Sequence, residues 1–194
     1  MKTYIVKLAI LSVLAILFAS GTAGQDGTSK APEKYLRIEG SYILGGQVIN
    51  DNLIYNPGGS INASICLRSG NKTGFGIGGG YTLLNDDSFV PLYFEFTGYM
   101  NKKKNCMFMV FQAGYAFGMS NRYKNYTEYS FNGGICFGIG TGYRFRINEN
   151  LDTYLSITYK HHFASVNYRS VSDLEYKQNL NYELLAISFG FMID

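Results

Sequence analysis

Acid–base and nucleophilic side chains come together at one place in the sequence, where Ser165 follows the segment Lys160-His161-His162. A histidine can take the proton of a serine hydroxyl near neutral pH, so this combination could support acyl transfer. Such chemistry also needs a carboxylate to orient the histidine, and no acidic residue near this segment supplies one. We therefore expect His161, His162 and Ser165 to be a polar group near the end of a strand, with catalysis as the alternative.

Two glycine-rich segments, GFGIGGG at 74–80 and GICFGIGTG at 134–142, invite comparison with phosphate-binding loops. A phosphate loop needs a helix N-terminus behind its glycines. Here glycines recur at every second position, which places them on one face of a β-strand. The pattern therefore predicts two strands, in which the missing side chains leave room for long arginines on the opposite side of the interior.

The cysteines Cys66, Cys106 and Cys136 are widely spaced and odd in number, and no CxxC pair suggests a metal site. We expect buried free thiols, and the sequence leaves open a disulfide between two of them. No cluster of basic residues is larger than Lys102–Lys104, which argues against binding to nucleic acid. We accordingly expect no metal, no cofactor and no nucleic-acid partner.

The elements that would position these residues are clearest in the segment 90–118. It reads VPLYFEFTGYM, then a polar NKKKN turn, then CMFMVFQAGYAFG. In each arm apolar residues occupy every second position, and small or polar residues, Glu95 among them, occupy the others. Successive side chains of a strand point to opposite faces, so the pattern predicts a β-hairpin with one apolar face. The arms are as long as the roughly 9–11 residues that a tilted strand needs to cross a bilayer.

The same alternation recurs along the chain and predicts eight strands, at 35–44, 60–68, 74–84, 90–100, 106–118, 131–146, 151–164 and 180–193. Long and short connections alternate between them, and the longest are the loops 46–59, 119–130 and 165–179. Short turns on the periplasmic side and long outer loops are typical of outer-membrane barrels. We therefore predict an all-β chain that forms an eight-stranded antiparallel up-and-down transmembrane β-barrel over 35–194.

The N-terminal region differs from the rest of the chain. Lys2 and Lys7 precede the apolar run Leu8–Ala19, and small residues follow up to Ala23, which is the pattern of a cleaved signal peptide. A run of 12 residues is too short for a transmembrane helix. We expect a signal peptide at 1–23 and a flexible lead-in at 24–34.

The two faces of the predicted barrel differ in composition. Lipid-facing tyrosines near the outer ends of four strands predict an aromatic girdle of Tyr42, Tyr81, Tyr115 and Tyr159. The other face carries the charges, and eight strands enclose only enough room for side chains. Because buried charges need partners, we expect a packed ionic plug, with Glu95 paired, made of Arg37, Glu39, Arg68, Glu95, Arg144, Arg146, Asp152 and Lys160. A soluble barrel, the alternative, would have an apolar interior.

These features resemble the OmpA/OmpX-type small outer-membrane barrels and the wider outer-membrane β-barrel domain proteins. The resemblance rests on the signal peptide, VPLY at 90–93, the lysine-rich turn, FQAGY at 111–115 and FGF at 189–191. It implies the Gram-negative outer membrane as location, with outer-membrane lipid and lipopolysaccharide as surroundings. Such chains often end on an aromatic residue, and this one continues past Phe191, so recognition by the barrel assembly machinery is expected through Phe189 and Phe191.

No single activity follows from this resemblance. We expect a non-enzymatic barrel that presents the loops 46–59, 119–130 and 165–179, rich in Tyr, Ser and Asn, for envelope integrity or surface binding. One alternative is an enzyme that modifies lipid A. The lipid A deacylases use a His and a Ser two residues apart, whereas Ser165 lies four residues from His161. A small pore is the second alternative.

Overall fold

The structure is a computed structural model, and it describes residues 33–49, 52–69, 72–85, 87–101, 105–120, 129–169 and 175–194. The predicted signal peptide and residues 24–32 of the predicted lead-in lie outside these ranges, as do the lysines of the 101–105 turn. Every regular element within the ranges is a β-strand. Among the same residues no helix is long and apolar enough to cross a membrane.

Ten strands are present in the described ranges: β1 (Glu33–Ile49), β2 (Asn52–Tyr55), β3 (Gly58–Ser69), β4 (Thr73–Leu84), β5 (Asp87–Tyr99), β6 (Cys106–Ser120), β7 (Tyr129–Asn132), β8 (Gly134–Arg146), β9 (Leu151–Arg169) and β10 (Glu175–Ile193). β2 and β3 pair with β1 in one register, so they are two parts of one barrel strand. β7 and β8 both pair with β9 and likewise form one strand. The ten segments thus make eight antiparallel barrel strands.

The predicted strand 131–146 is not continuous. Asn132 pairs with Ser165, and the next pair joins Cys136 to His162, so three residues of this strand oppose two residues of β9. This is a β-bulge, which is common at the rims of barrels. The bulge contains Gly133 and Gly134, which is why the strand can bend there.

The sheet closes on itself because β10 pairs with both β9 and β1. One circuit along paired residues passes through Arg37, Ser64, Gly78, Tyr93, Gly114, Cys136, His162, Tyr182 and Gln47. The circuit starts and ends on β1 but advances from residue 37 to residue 47, a stagger of ten residues. A stagger of this kind goes with strands tilted by about 35–45° and an interior just wide enough for side chains.

The outer face of the barrel is apolar and the inner face carries the charges. Phe94 is 70% exposed, whereas Glu95, the next residue, is 3% exposed. The same contrast is seen between Ile65 and Arg68 on β3 and between Phe145 and Arg144 on β8. A soluble barrel would show the opposite arrangement, so that alternative is wrong. A closed barrel with an apolar exterior is the β structure that satisfies its backbone within a bilayer.

Much of the predicted outer-loop sequence is strand. In the predicted loop 165–179, β9 continues to Arg169 and β10 already begins at Glu175. In the predicted loop 46–59, β1 continues to Ile49 and Asn52–Tyr55 form β2. Residues 121–128 of the loop 119–130 lie outside the described part of the chain. The prediction failed because side chains above the membrane meet water on both faces, which removes the alternation that marks a strand.

Candidate functional site

The centre of the barrel is a cluster of charged side chains around Arg37. Its Nη1 donates to Glu95 at 2.8 Å and its Nη2 donates to Glu39 at 3.0 Å. Its Nε donates to the hydroxyl of Tyr154 at 2.6 Å, and that hydroxyl donates to Glu39 at 2.9 Å. The Nζ of Lys160 lies 3.8 Å from Glu39. Two cations face two carboxylates, so the formal charge of this central cluster is zero.

Uncharged donors complete the hydrogen bonding of both carboxylates. Gln112 donates to Glu95 at 2.8 Å, and Asn62 donates to Glu39 at 3.2 Å. The hydroxyl of Thr97 also donates to Glu95, at 3.4 Å. A buried carboxylate is unfavourable unless it is paired and hydrogen-bonded, and this arrangement supplies both conditions. The central cluster therefore joins five strands, β1, β3, β5, β6 and β9, in the middle of the interior.

A second charged group lies at the end of the barrel that carries the short turns, the periplasmic end of such folds. Asp152 accepts a hydrogen bond from Arg146 at 2.9 Å and lies 3.4 Å from Arg144. Arg68 pairs with Glu33 at 3.3 Å. The eight residues predicted as one ionic network thus form two groups, with Arg37, Glu39, Glu95 and Lys160 in the centre and Arg68, Arg144, Arg146 and Asp152 at the periplasmic end.

Aromatic and aliphatic side chains fill the outer third of the interior. The ring of Phe89 lies 5.0 Å from that of Tyr182, 5.2 Å from that of His162 and 5.8 Å from that of Phe131. The hydroxyl of Tyr182 donates to Asp87 at 2.8 Å. Around them pack Ile43, Leu84, Val166, Leu180 and Leu184. This outer apolar layer separates the central cluster from the cell exterior.

The space between the central cluster and the outer apolar layer is small. Its volume is about 20 Å³, and its lining includes Asn62, Tyr93, Gln112, Lys160 and His162. A volume of this size holds about one water molecule. It is far below the roughly 300 Å³ at which pockets for organic ligands begin. This part of the described interior is therefore packed with side chains, as the predicted plug requires.

Some of the inward-facing glycines make room for aromatic rings and not, as the sequence suggested, for arginines. A Cβ on Gly78 would lie 2.7 Å from the ring of Tyr93, and a Cβ on Gly190 would lie 2.5 Å from that of Tyr154. These distances are too short for a real side chain. The arginines instead lie against the same rings, with the guanidinium of Arg37 4.5 Å from the centre of Tyr154.

The four tyrosines of the predicted girdle are all exposed on the outer face. A stagger of ten residues over eight strands raises paired residues by about 1.25 residues at each step from strand to strand. With this rise included, Tyr42, Tyr81, Tyr115 and Tyr159 lie within about 1.5 residues of one level, or roughly 5 Å. Their role at the membrane interface stays a prediction.

The two histidines lie on opposite faces of β9. His162 is buried inside the barrel against Phe89. His161 lies outside, where its ring stacks on Phe137 with 5.1 Å between centroids. Its Nδ1 is 3.4 Å from the hydroxyl of Tyr159. The two histidines therefore cannot act together on one substrate.

Strand pairing places a carboxylate beside His161 that the sequence did not reveal. Glu183 on β10 is directly opposite His161 and faces outward like it. Ser165 shares this outer face, but four residues of strand put it about 13 Å from His161. A proton cannot pass directly between groups so far apart. No local pattern could have identified Glu183, because it is 22 residues from His161 and only the register brings them together.

A raised wall of sheet stands on one side of the outer rim. It consists of β2, β1, β10, β9 and β7, which pair in that order. On the opposite side the β4–β5 connection begins after Leu84. With the stagger included, the end of the β9–β10 hairpin stands about six residues higher than this connection, or roughly 15 Å. The wall is therefore the part of the described sheet that extends farthest beyond the low side of the rim.

Metal ligands do not come together in the described part of the chain, where no group of three or more His, Cys, Asp or Glu could hold an ion. Cys66, Cys106 and Cys136 are buried free thiols; Cys66 and Cys106 belong to one buried cluster and Cys136 to another. The disulfide that the sequence left open is therefore not formed. Redox or metal chemistry has no support from these residues.

No protein-family model matches the chain, and no curated protein matches its sequence. Among solved structures, Neisserial surface protein A superposes with a TM-score of 0.60 at 11% identity, over 85% of this chain and 99% of that one. The outer membrane protein OprG from Pseudomonas aeruginosa has a TM-score of 0.55 at 10% identity, over 84% and 97%. The outer membrane protein AlkL, determined in lipid bilayers, has 0.57 at 8%, over 89% and 94%. At identities this low, the superpositions establish a shared fold and nothing more.

Proposed function

We propose that this small outer-membrane β-barrel is a non-enzymatic surface protein, which presents its raised wall to the exterior for binding. The observation that carries the proposal is that β2 and the start of β10, at the top of the wall, are exposed on both faces. Four consecutive residues of β10, Tyr176–Asn179, are all exposed, whereas below them buried and exposed residues alternate. All four residues of β2 are exposed as well.

The composition of the wall suits a binding surface. Leu53, Ile54, Tyr55 and Tyr176 are about half exposed, although they stand above the level of the tyrosine girdle. Large side chains in water on a rigid sheet are unfavourable unless a partner covers them. Tyrosine and asparagine between them offer contact area and hydrogen bonds. The parts of the predicted loops that form β2 and the start of β10 therefore act as strands that display side chains.

The test compares cells that display the full chain with cells that display a trimmed chain, in which residues 167–177 are replaced by Asn-Gly. This two-residue turn joins Val166 to Gln178, which pair in the barrel, so the hairpin can still close. We expect adhesion to surfaces coated with serum proteins to fall at least tenfold. Heat modifiability on gels shows that both proteins are folded.

Equal adhesion of the two strains would contradict the proposal. Survival of the same strains in dilute detergent separates surface binding from envelope integrity. If loss of the gene sensitises the cells and the trimmed chain restores resistance, the barrel itself serves the envelope and the wall is not needed.

A lipid A-modifying enzyme is the second candidate, and the position of Glu183 opposite His161 favours it. A carboxylate beside an outward-facing histidine is two thirds of a catalytic triad. The distance to Ser165 stands against it, so another nucleophile, such as water, would be needed. Mass spectrometry of lipid A tests this candidate, with cells that carry the wild-type chain, cells that carry His161→Ala and cells without the gene. An unchanged acyl pattern in all three removes this candidate.

Recognition by the barrel assembly machinery through Phe189 and Phe191 is part of the same proposal. Both face outward near the end of β10, with ring centroids 5.1 Å apart. We expect replacement of both by Ser to lower the amount of heat-modifiable protein in cells at least fivefold, whereas Ile187→Ser on the same face has little effect. Refolding into detergent should be similar for all variants. A parallel loss in refolding would mean that the phenylalanines act through stability.

A further inference from the structure

The lipid-facing surface has a hollow in its periplasmic half, on β5 and β6. Its volume is about 350 Å³, which lies within the range of pockets that bind small molecules. Gly98 forms its floor together with Met109, which is its partner on β6. Phe96 and its partner Phe111 border the hollow toward the middle of the membrane. The remaining outward-facing lining residues are Met100 and Ile139.

Packing within the protein does not explain why residue 98 is a glycine. A Cβ at this position would meet only the ring of Phe96, at 3.9 Å, which is an ordinary contact. Among the described residues, Gly45 alone is marked by a positive φ, so the backbone at Gly98 accepts any side chain. The inward-facing Gly78, in contrast, would collide with Tyr93. The space above Gly98 is therefore open toward the bilayer, and packing within the protein does not require it.

The place of the hollow determines what can occupy it. Gly98 lies one residue before the periplasmic end of β5, inside the apolar band, where phospholipid tails surround the barrel. Its walls are methionine and phenylalanine side chains, and methionine adapts its shape to irregular apolar partners. At the same end the backbone N–H of Tyr99 donates to the carbonyl of Lys72 at 2.6 Å. This contact brings the backbone of Lys72, an exposed residue, beside Tyr99 at the periplasmic edge of the hollow.

We propose that the hollow binds one glycerophospholipid of the periplasmic leaflet. One acyl chain lies over Gly98 between Phe96 and Phe111, and the phosphate lies near Lys72. The methionine side chains pack along the chain. This site is on the opposite side of the membrane from the raised wall and does not depend on what the wall binds.

Native mass spectrometry of the full protein, extracted from outer membranes in a mild detergent, tests the proposal. Wild type should retain one phospholipid. Gly98→Leu should lower the lipid-bound fraction at least tenfold, because the side chain fills the hollow. Gly40→Leu is the matched control, since Gly40 also faces lipid, on β1, and a Cβ there meets nothing within 4 Å. This control should retain lipid like wild type, and heat modifiability verifies that both variants are folded.

The same measurement tests whether Lys72 contributes to binding of the phosphate headgroup. After exchange into micelles with phosphatidylglycerol or with diacylglycerol, Lys72→Gln should lower retention of phosphatidylglycerol at least threefold and leave diacylglycerol unchanged. Equal lipid retention by wild type and Gly98→Leu would overturn the site. Equal loss in Gly98→Leu and Gly40→Leu would also overturn it, because it would show a general effect of the barrel surface. Unchanged retention of phosphatidylglycerol in Lys72→Gln would overturn the assignment of the phosphate.

Discussion

Glu95 is the residue on which most of the central cluster depends. Its two oxygens accept hydrogen bonds from Arg37 and Gln112, each at 2.8 Å, and from Thr97 at 3.4 Å. These donors come from three different strands, so one carboxylate joins β1, β5 and β6 across the interior. Because the group is buried, removal of its charge leaves the guanidinium of Arg37 with Glu39 as its remaining carboxylate.

We expect Glu95→Gln to lower the free energy of unfolding by about 3 kcal/mol, because it leaves a buried cation partly uncompensated. Urea titration of the protein in lipid vesicles measures the change. Glu33→Gln is the control: Glu33 pairs with Arg68 at 3.3 Å but is 56% exposed, so its loss should cost less than about 1 kcal/mol. Equal stability of Glu95→Gln and wild type would contradict a coupled charge cluster.

Among the elements, the upper part of β1 contains a backbone irregularity at Gly45. Gly45 has a φ of 125°, in the region that favours glycine. Its carbonyl accepts a hydrogen bond from the N–H of Asn56 at 2.7 Å, between β2 and β3. The side-chain oxygen of Asn56 in turn accepts from the N–H of Asn85 at 2.8 Å, after β4. The raised and the low side of the rim are therefore joined through Gly45 and Asn56.

We expect Gly45→Ala to destabilise the barrel by about 1–3 kcal/mol, since an L-residue at this φ is strained. Its Cβ would also collide with the backbone carbonyl of Glu183. Gly40→Ala, on the same strand with open space around it, should be neutral within about 0.5 kcal/mol. The midpoint of urea unfolding in vesicles distinguishes the two variants. Equal midpoints would show that the irregularity at Gly45 carries no strain.

For the molecule as a whole, eight strands with a stagger of ten residues enclose an interior just wide enough for side chains. Charges lie in the middle and at the periplasmic end. Apolar side chains close the outer end, where Phe89, Tyr182 and their neighbours pack together. This arrangement speaks against the small-pore alternative, because hydrated ions would have to displace both the aromatic rings and the central cluster.

We accordingly expect the purified protein to leave planar-bilayer conductance at baseline, while a porin of known conductance shows steps in the same bilayer. The physical reason is the cost of moving buried, paired charges and packed rings together. Reproducible conductance steps that disappear when the protein is heat-denatured would contradict a plugged interior and support the small-pore alternative.

Alternation in the sequence is enough to predict the parts of the structure that depend on which face a side chain occupies. Each residue from Leu92 to Tyr99 lies on the face that its parity predicted, because the pleat of a strand and the contrast between lipid and interior are both local. The existence of eight strands, the apolar exterior and the closed barrel follow from the same pattern. Above the membrane the pattern fails, since water on both faces removes the contrast.

Which side chains contact each other across the barrel is visible only in the folded protein. Arg37 and Glu95 are 58 residues apart, and neither residue carries local information about its partner. The same holds for His161 with Glu183 and for the hollow over Gly98. These relations depend on the register between strands and on the ten-residue stagger, which are properties of the closed sheet as a whole.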